Sequence, residues 1–180
     1  MSKQKIVDQE ATALNNFGVI SYGRDGKMAG MTDCNGVALA NKFEKSLVAE
    51  VTVTSAQVLA LFTTPIEIIP APGAGYAVIP HRFVVRHGTG TAYAGIAAGE
   101  DLVLKYTNAS GAEITQTIET TGFLDQATAQ IRMAGGINAS ITPVSNAAVV
   151  LHLLVGNITT GTFDLEVFVE YDVIPTDFAG

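Results

Sequence analysis

Phe163-Asp-Leu-Glu-Val-Phe-Val-Glu-Tyr-Asp-Val173 decides the reading of this chain. Its odd positions are Phe163, Leu165, Val167, Val169, Tyr171 and Val173, and its even positions are Asp164, Glu166, Phe168, Glu170 and Asp172. Successive side chains of a strand point to opposite faces, so strict period-two alternation predicts one face in a core and one face out. Upstream, Val149-Val-Leu-His-Leu-Leu-Val155 is apolar almost throughout, which predicts a strand buried on both faces.

Working outward, the pattern of short strands continues. Residues 47–54 are β-branched and mostly apolar. Ser55-Ala-Gln-Val-Leu-Ala-Leu61 predicts one or two helical turns with Thr54 or Ser55 as N-cap. Residues 65–69 form a short strand, stopped by the loop-forming cluster Pro70-Ala-Pro-Gly-Ala-Gly75. A long strand over 76–87 is interrupted at Pro80, which predicts an edge or a bulge there. Residues 88–99 read as a loop. Residues 101–107 and 112–119 flank Asn108-Ala-Ser-Gly111 and predict a hairpin. A helical turn over 122–125 and short strands over 130–133 and 137–142 complete the series. About eight or nine strands without long helices between them predict an all-β fold, an antiparallel β-sandwich of jelly-roll type.

Composition agrees with strands. Val, Ile and Thr supply 18, 14 and 19 of the 180 residues, all types suited to a pleated surface. Only 15% of residues are charged, against about 25% in an average soluble domain. The apolar content of 48% excludes a disordered chain. A net charge of −7 argues against a nucleic-acid partner, which needs basic residues to displace counterions from phosphates. No stretch approaches the roughly 18 apolar residues of a membrane-spanning helix, so no membrane partner is expected. The first ten residues lack the apolar core of a signal peptide. Without a secretion signal, the sequons at Asn108, Asn138 and Asn157 read as chance.

Charge also divides the chain. Residues 1–50 carry 6 basic and 6 acidic side chains, while residues 51–180 carry 4 and 11, so the whole −7 lies in the second part. The first part has Gly18, Gly23, Gly26, Gly30 and Gly36 and no sustained periodicity. It predicts an extended N-terminal arm over 1–45, with a short helix over 7–15, ahead of a β-sandwich domain over 46–180. Phe17, Ile20, Tyr22, Met28 and Met31 make this arm too apolar to stay solvated, and they are candidate interface residues.

Side chains for chemistry are few. Cys34 is the only cysteine, so neither an intrachain disulfide nor a cysteine-based zinc site is available. It has no histidine near it in sequence. His81 and His87 are six residues apart on one strand, which predicts the same face and a separation of about 20 Å, too far for one metal. His152 falls inside an apolar run and reads as a core or rim residue. There is no G-x-S-x-G elbow, phosphate-binding loop or EF-hand loop. The expectation is no catalytic residue, no cofactor and no metal.

Asp164, Glu166, Glu170 and Asp172 line up on the outward face of the last strand and read as a solvated face. A sharper reading exists for two of them. Arg82 and Arg86 have the same spacing as Glu166 and Glu170, so antiparallel neighbouring strands would form two cross-strand ion pairs. Phe168 interrupts the charged face and is a sixth candidate interface residue, read as buried between subunits.

One resemblance rests on Val51-Thr-Val-Thr-Ser-Ala-Gln-Val-Leu-Ala-Leu61, Ile68-Ile-Pro-Ala-Pro-Gly-Ala-Gly75, Leu102-Val-Leu-Lys-Tyr106 with Gly111, Gly122-Phe-Leu-Asp125, and Val167-Phe-Val-Glu-Tyr171-Asp-Val-Ile174. Residues 46–174 resemble the β-sandwich decoration, or cement, proteins of tailed-bacteriophage heads. The resemblance implies a non-enzymatic virion protein, made in the host cytoplasm and placed on the capsid exterior. Its implied partners are the major capsid protein and further copies of itself, as a trimer or dimer. The competing expectation is a receptor- or carbohydrate-binding head of a fibre or spike. Such sites favour exposed loop aromatics, and here only Tyr76 and Tyr93 are loop-like, with no Trp in the chain.

Overall fold

The computed structural model describes residues 19–22, 28–32, 46–137 and 141–177. The chain divides into two units, Met1–Lys45 and Ser46–Gly180. In the first, β1 (Val19–Tyr22) and β2 (Met28–Thr32) pair antiparallel. The expectation of an extended arm did not include this hairpin. The helix expected over 7–15 lies outside the described residues.

The second unit contains β3 (Leu47–Val53), α1 (Ser55–Ala60), β4 (Ile66–Ile69), β5 (Tyr76–His87), β6 (Leu102–Tyr106), β7 (Gln130–Gly135), β8 (Val149–Leu153) and β9 (Leu165–Pro175). They form two antiparallel sheets, ordered β3-β9-β5-β7 and β4-β8-β6. The all-β expectation is met.

The core contains side chains from both sheets. The alternation predicted for β9 holds over its first half, where Leu165, Val167 and Val169 are fully buried, while residues 170–174 are all of intermediate burial. The three buried residues pack in one cluster with Phe83 and Val85 of β5, Leu102 and Leu104 of β6, and Leu151 and Leu153 of β8. All five residues of β8 are buried, as its uninterrupted apolar run requires. At the end of the core, the Phe163 ring stacks on His87 at 4.0 Å and meets Tyr93 edge-on at 4.7 Å. The Tyr93 hydroxyl donates to the Phe163 carbonyl at 2.7 Å.

The short helix starts where its sequence says. Thr54 is the N-cap: its side chain accepts from the Gln57 amide, and the Gln57 side chain accepts from the Thr54 amide at 2.8 Å. This is the reciprocal capping box expected of T-x-x-Q. Asp164 accepts from the Ser55 amide at 2.7 Å and ties the start of α1 to the residue before β9.

In β5 one sequence expectation is met and one changes. Pro80 lies at a bulge, as expected, where the register with β9 shifts between Pro80 and Arg82. β5 is an internal strand, but β7 pairs only from Arg82 onward, so Pro80 sits just beyond a partner needing its missing amide hydrogen. The extra residue reverses the side-chain alternation. His81 is therefore exposed and His87 buried, on opposite faces rather than the same one.

Residues 112–119, expected as a full hairpin strand, make isolated bridges instead. Ile114 and Ile118 amides donate to Leu104 and Leu102 carbonyls at 2.9 and 2.8 Å, and the Gln116 amide donates to Gly135 of β7 at 2.9 Å. The segment thus joins the edge of one sheet to the edge of the other. Gly111 closes the preceding turn because a Cβ there would overlap the Tyr106 carbonyl. Of residues 137–142, the described ones are outside any strand.

Candidate functional site

The outer face of the β3-β9-β5-β7 sheet gathers the most distinctive side chains. Pairing registers set Arg86 opposite Glu166, Val84 opposite Phe168, and Arg82 opposite Glu170. The same rows continue onto β7, with Arg86 opposite Ile131, Val84 opposite Met133 and Arg82 opposite Gly135. On β3 they reach Thr52, Glu50 and Val48. An apolar row through Phe168, Val84 and Met133 therefore runs across the strands, between two rows of charge.

Both expected cross-strand pairs form. Arg82 lies 3.3 Å from Glu170, and Arg86 contacts Glu166 through two guanidinium nitrogens. The Arg86 guanidinium also lies 5.1 Å from the centre of the Phe168 ring, a cation–π arrangement. Along the same strands His81 Nε2 is 2.8 Å from Asp172. The four outward carboxylates expected to be simply solvated each have a partner, counting Asp164 on the start of α1. Because the pairs are half-exposed, each contributes only a few tenths of a kcal/mol to folding.

A shallow groove of about 470 Å³ opens on this face, with Val84 and Phe168 beside Val48, Ile131 and Met133 and with Arg82 at its edge. Val48, Ile131 and Met133 are 62%, 61% and 66% exposed. Large apolar side chains this open, contiguous and held on rigid strands mark an interaction surface more than a reaction site. Phe168 is the candidate interface residue that lies here, and it is half-buried. The sequence did not identify Val48, Val84, Ile131 and Met133. Their grouping depends on β3 and β7 flanking the β5–β9 pair, and period-two alternation within one strand carries no information about which strand lies beside it.

The other five candidates are in the first unit. Ile20 stands opposite Met31, and Tyr22 opposite Met28, in the β1–β2 register. Phe17 lies outside the described residues, as does Cys34.

The histidines serve packing or surface pairing. His87 has Nδ1 2.7 Å from the Gly88 carbonyl and Nε2 3.2 Å from the Phe123 carbonyl. His152 is buried and donates from Nε2 to the Phe62 carbonyl at 3.0 Å, leaving Nδ1 without a partner. Burial holds its pKa below the usual histidine value. The Phe62 hydrogen bond opposes that shift, Lys105 adds to it and Glu113 opposes it. Burial also raises the Tyr93 hydroxyl well above the usual tyrosine range, with nearby Asp164 adding to the effect, and raises that of Tyr106. Among the described residues no three His, Cys, Asp or Glu side chains gather as a metal site. No described helix is long and apolar enough to cross a membrane. Compared with protein families, characterised proteins and solved structures, the chain finds no match.

Proposed function

We propose that this chain is a non-enzymatic virion structural protein that binds the outer capsid lattice of a tailed-phage head and cements it. In this reading it acts as a homo-oligomer on the major capsid protein, with residues 1–45 as an attachment arm. The observation that carries it is the exposed apolar groove between ion-paired rows on a rigid sheet. Binding only the assembled shell stabilises the shell by mass action, and several linked copies gain avidity without strong individual contacts.

Strand order supports the finer fold reading, a jelly roll. Counting residues 112–118 as a strand gives eight in the second unit. In chain order the first pairs with the eighth, the second with the seventh, the third with the sixth and the fourth with the fifth. A long antiparallel hairpin rolled up in this way is the jelly-roll plan, which serves viral capsid and lectin domains alike.

The lectin use keeps one alternative in view, a carbohydrate-binding fibre or spike head, with Tyr76 exposed at the start of β5 as its aromatic. Mixing the full chain with expanded, undecorated shells of its phage and sedimenting them separates the two. The expected result is saturable co-sedimentation and a higher rupture temperature of the shells. Chain left in the supernatant overturns the proposal, and binding to a glycan array in its place selects the alternative.

A further inference from the structure

The charges on the outer sheet face are sorted by strand. β5 carries Arg86 and Arg82, and β9 carries Glu166, Glu170 and Asp172. Side by side, they make one cationic and one anionic strand, with Val84 and Phe168 level with each other between the arginine rows. Such a face has a sense: it matches a surface whose charges run in the opposite order across the strands.

The chain itself supplies that surface. We propose that this face is a contact between two copies of the chain, related by a twofold axis parallel to the strands and running between β5 and β9. Rotation about that axis lays the β5 of one copy over the β9 of the other while keeping each row level. Arg86 then faces Glu166 of the second copy, Arg82 faces Glu170, and the reciprocal pairs form at the same time. Val84 and Phe168 meet across the centre, and the exposed Met133 lies toward Glu50 at either side. The other in-plane twofold, perpendicular to the strands, sets arginines over arginines and carboxylates over carboxylates, an arrangement costing several kcal/mol. Facing sheets pack about 10 Å apart with their strands within about 30°. Arginine and glutamate side chains span that gap for the rows next to the centre. The interface is isologous, each residue meeting its reciprocal partner, as a closed dimer requires.

The inference rests on the homo-oligomer in the proposed function and names its contact, and it is tested with no capsid present. Sedimentation equilibrium of the full chain over a range of concentrations is expected to show a monomer–dimer equilibrium that weakens with added salt. Arg82→Glu with Arg86→Glu reverses both arginines of β5, and Glu166→Arg with Glu170→Arg reverses the two carboxylates that face them. Each double variant is expected to dimerise at least about tenfold more weakly, and an equimolar mixture of the two to associate again. All four substitutions together retain the pairs within each copy and are expected to restore the dimer, which covers any fold defect of the doubles. A chain that stays monomeric, forms trimers, or dimerises regardless of these reversals overturns the inference. A charge-dependent dimer that ignores capsid shells retains it and removes the proposed function, while a monomer that binds shells removes the inference and the homo-oligomer and retains the capsid-binding reading.

Discussion

At the scale of single residues, His152 shows how a polar group is tolerated in the core. Its Nε2 hydrogen satisfies the Phe62 carbonyl and its ring packs near Phe62, but protonation would add a hydrogen at Nδ1 with no acceptor. The folded state therefore binds this proton less readily than the unfolded chain. Stability is full above the ordinary histidine pKa of about 6.5 and falls below it, by up to about 1.4 kcal/mol per pH unit until the lowered folded pKa is reached. His152→Leu is expected to flatten this slope, as read by urea unfolding at pH 7 and pH 5.5. An unchanged slope would place the titration elsewhere. Gly161 is the second case. Its φ of +110° suits glycine, and a Cβ there would run into the Tyr93 ring. Gly161→Ala is expected to cost about 3 kcal/mol, through backbone strain and displacement of Tyr93 from Phe163. A loss under about 0.5 kcal/mol in the same unfolding measurement would show that the ring can move aside.

At the scale of elements, legibility followed how local the signal was. β9 and β8 were readable because alternation and unbroken apolarity are written in consecutive residues. The capping box at Thr54 is equally local. The matched spacing of Arg82, Arg86, Glu166 and Glu170 even disclosed one pairing at long range, since like spacing on two strands constrains their register. Where one extra residue changed the geometry, the reading failed: the Pro80–Arg82 bulge put His81 and His87 on opposite faces. Residues 112–118 keep enough hydrogen bonds to cross between sheets, yet form no continuous ladder, so a hairpin reading overstated them. The groove was hidden because it needs the lateral order of four strands. Two neighbours on β9 test its faces separately. Val167→Ala is expected to lose about 2 kcal/mol of stability, since the side chain is fully buried. Phe168→Ala is expected to lose less than about 1 kcal/mol in the monomer, with the difference read from paired thermal or urea melts. Equal losses would mean that β9 is buried on both sides.

At the scale of the molecule, the low charge of 15% now has a location. Much of the charge on the outer sheet face is paired off between β5 and β9, and apolar side chains stand in the open between the pairs. The neutral residues 1–50 and the acidic remainder meet close to the division of the chain between Lys45 and Ser46. In the proposed particle the first unit attaches and the second supplies the rigid body. Deleting residues 1–45 is expected to leave a cooperatively unfolding β domain that no longer raises the rupture temperature of shells. Shells protected as well by the shortened chain would remove the attachment role of residues 1–45. The proposed place of the protein is on the capsid, and cryo-electron microscopy of the assembled particle is the decisive measurement. Repeated density is expected on the outside of the head, fitted by the two-sheet body at capsomer positions. Density confined to a fibre or tail tip, or a head surface without it, would rule out a capsid cement.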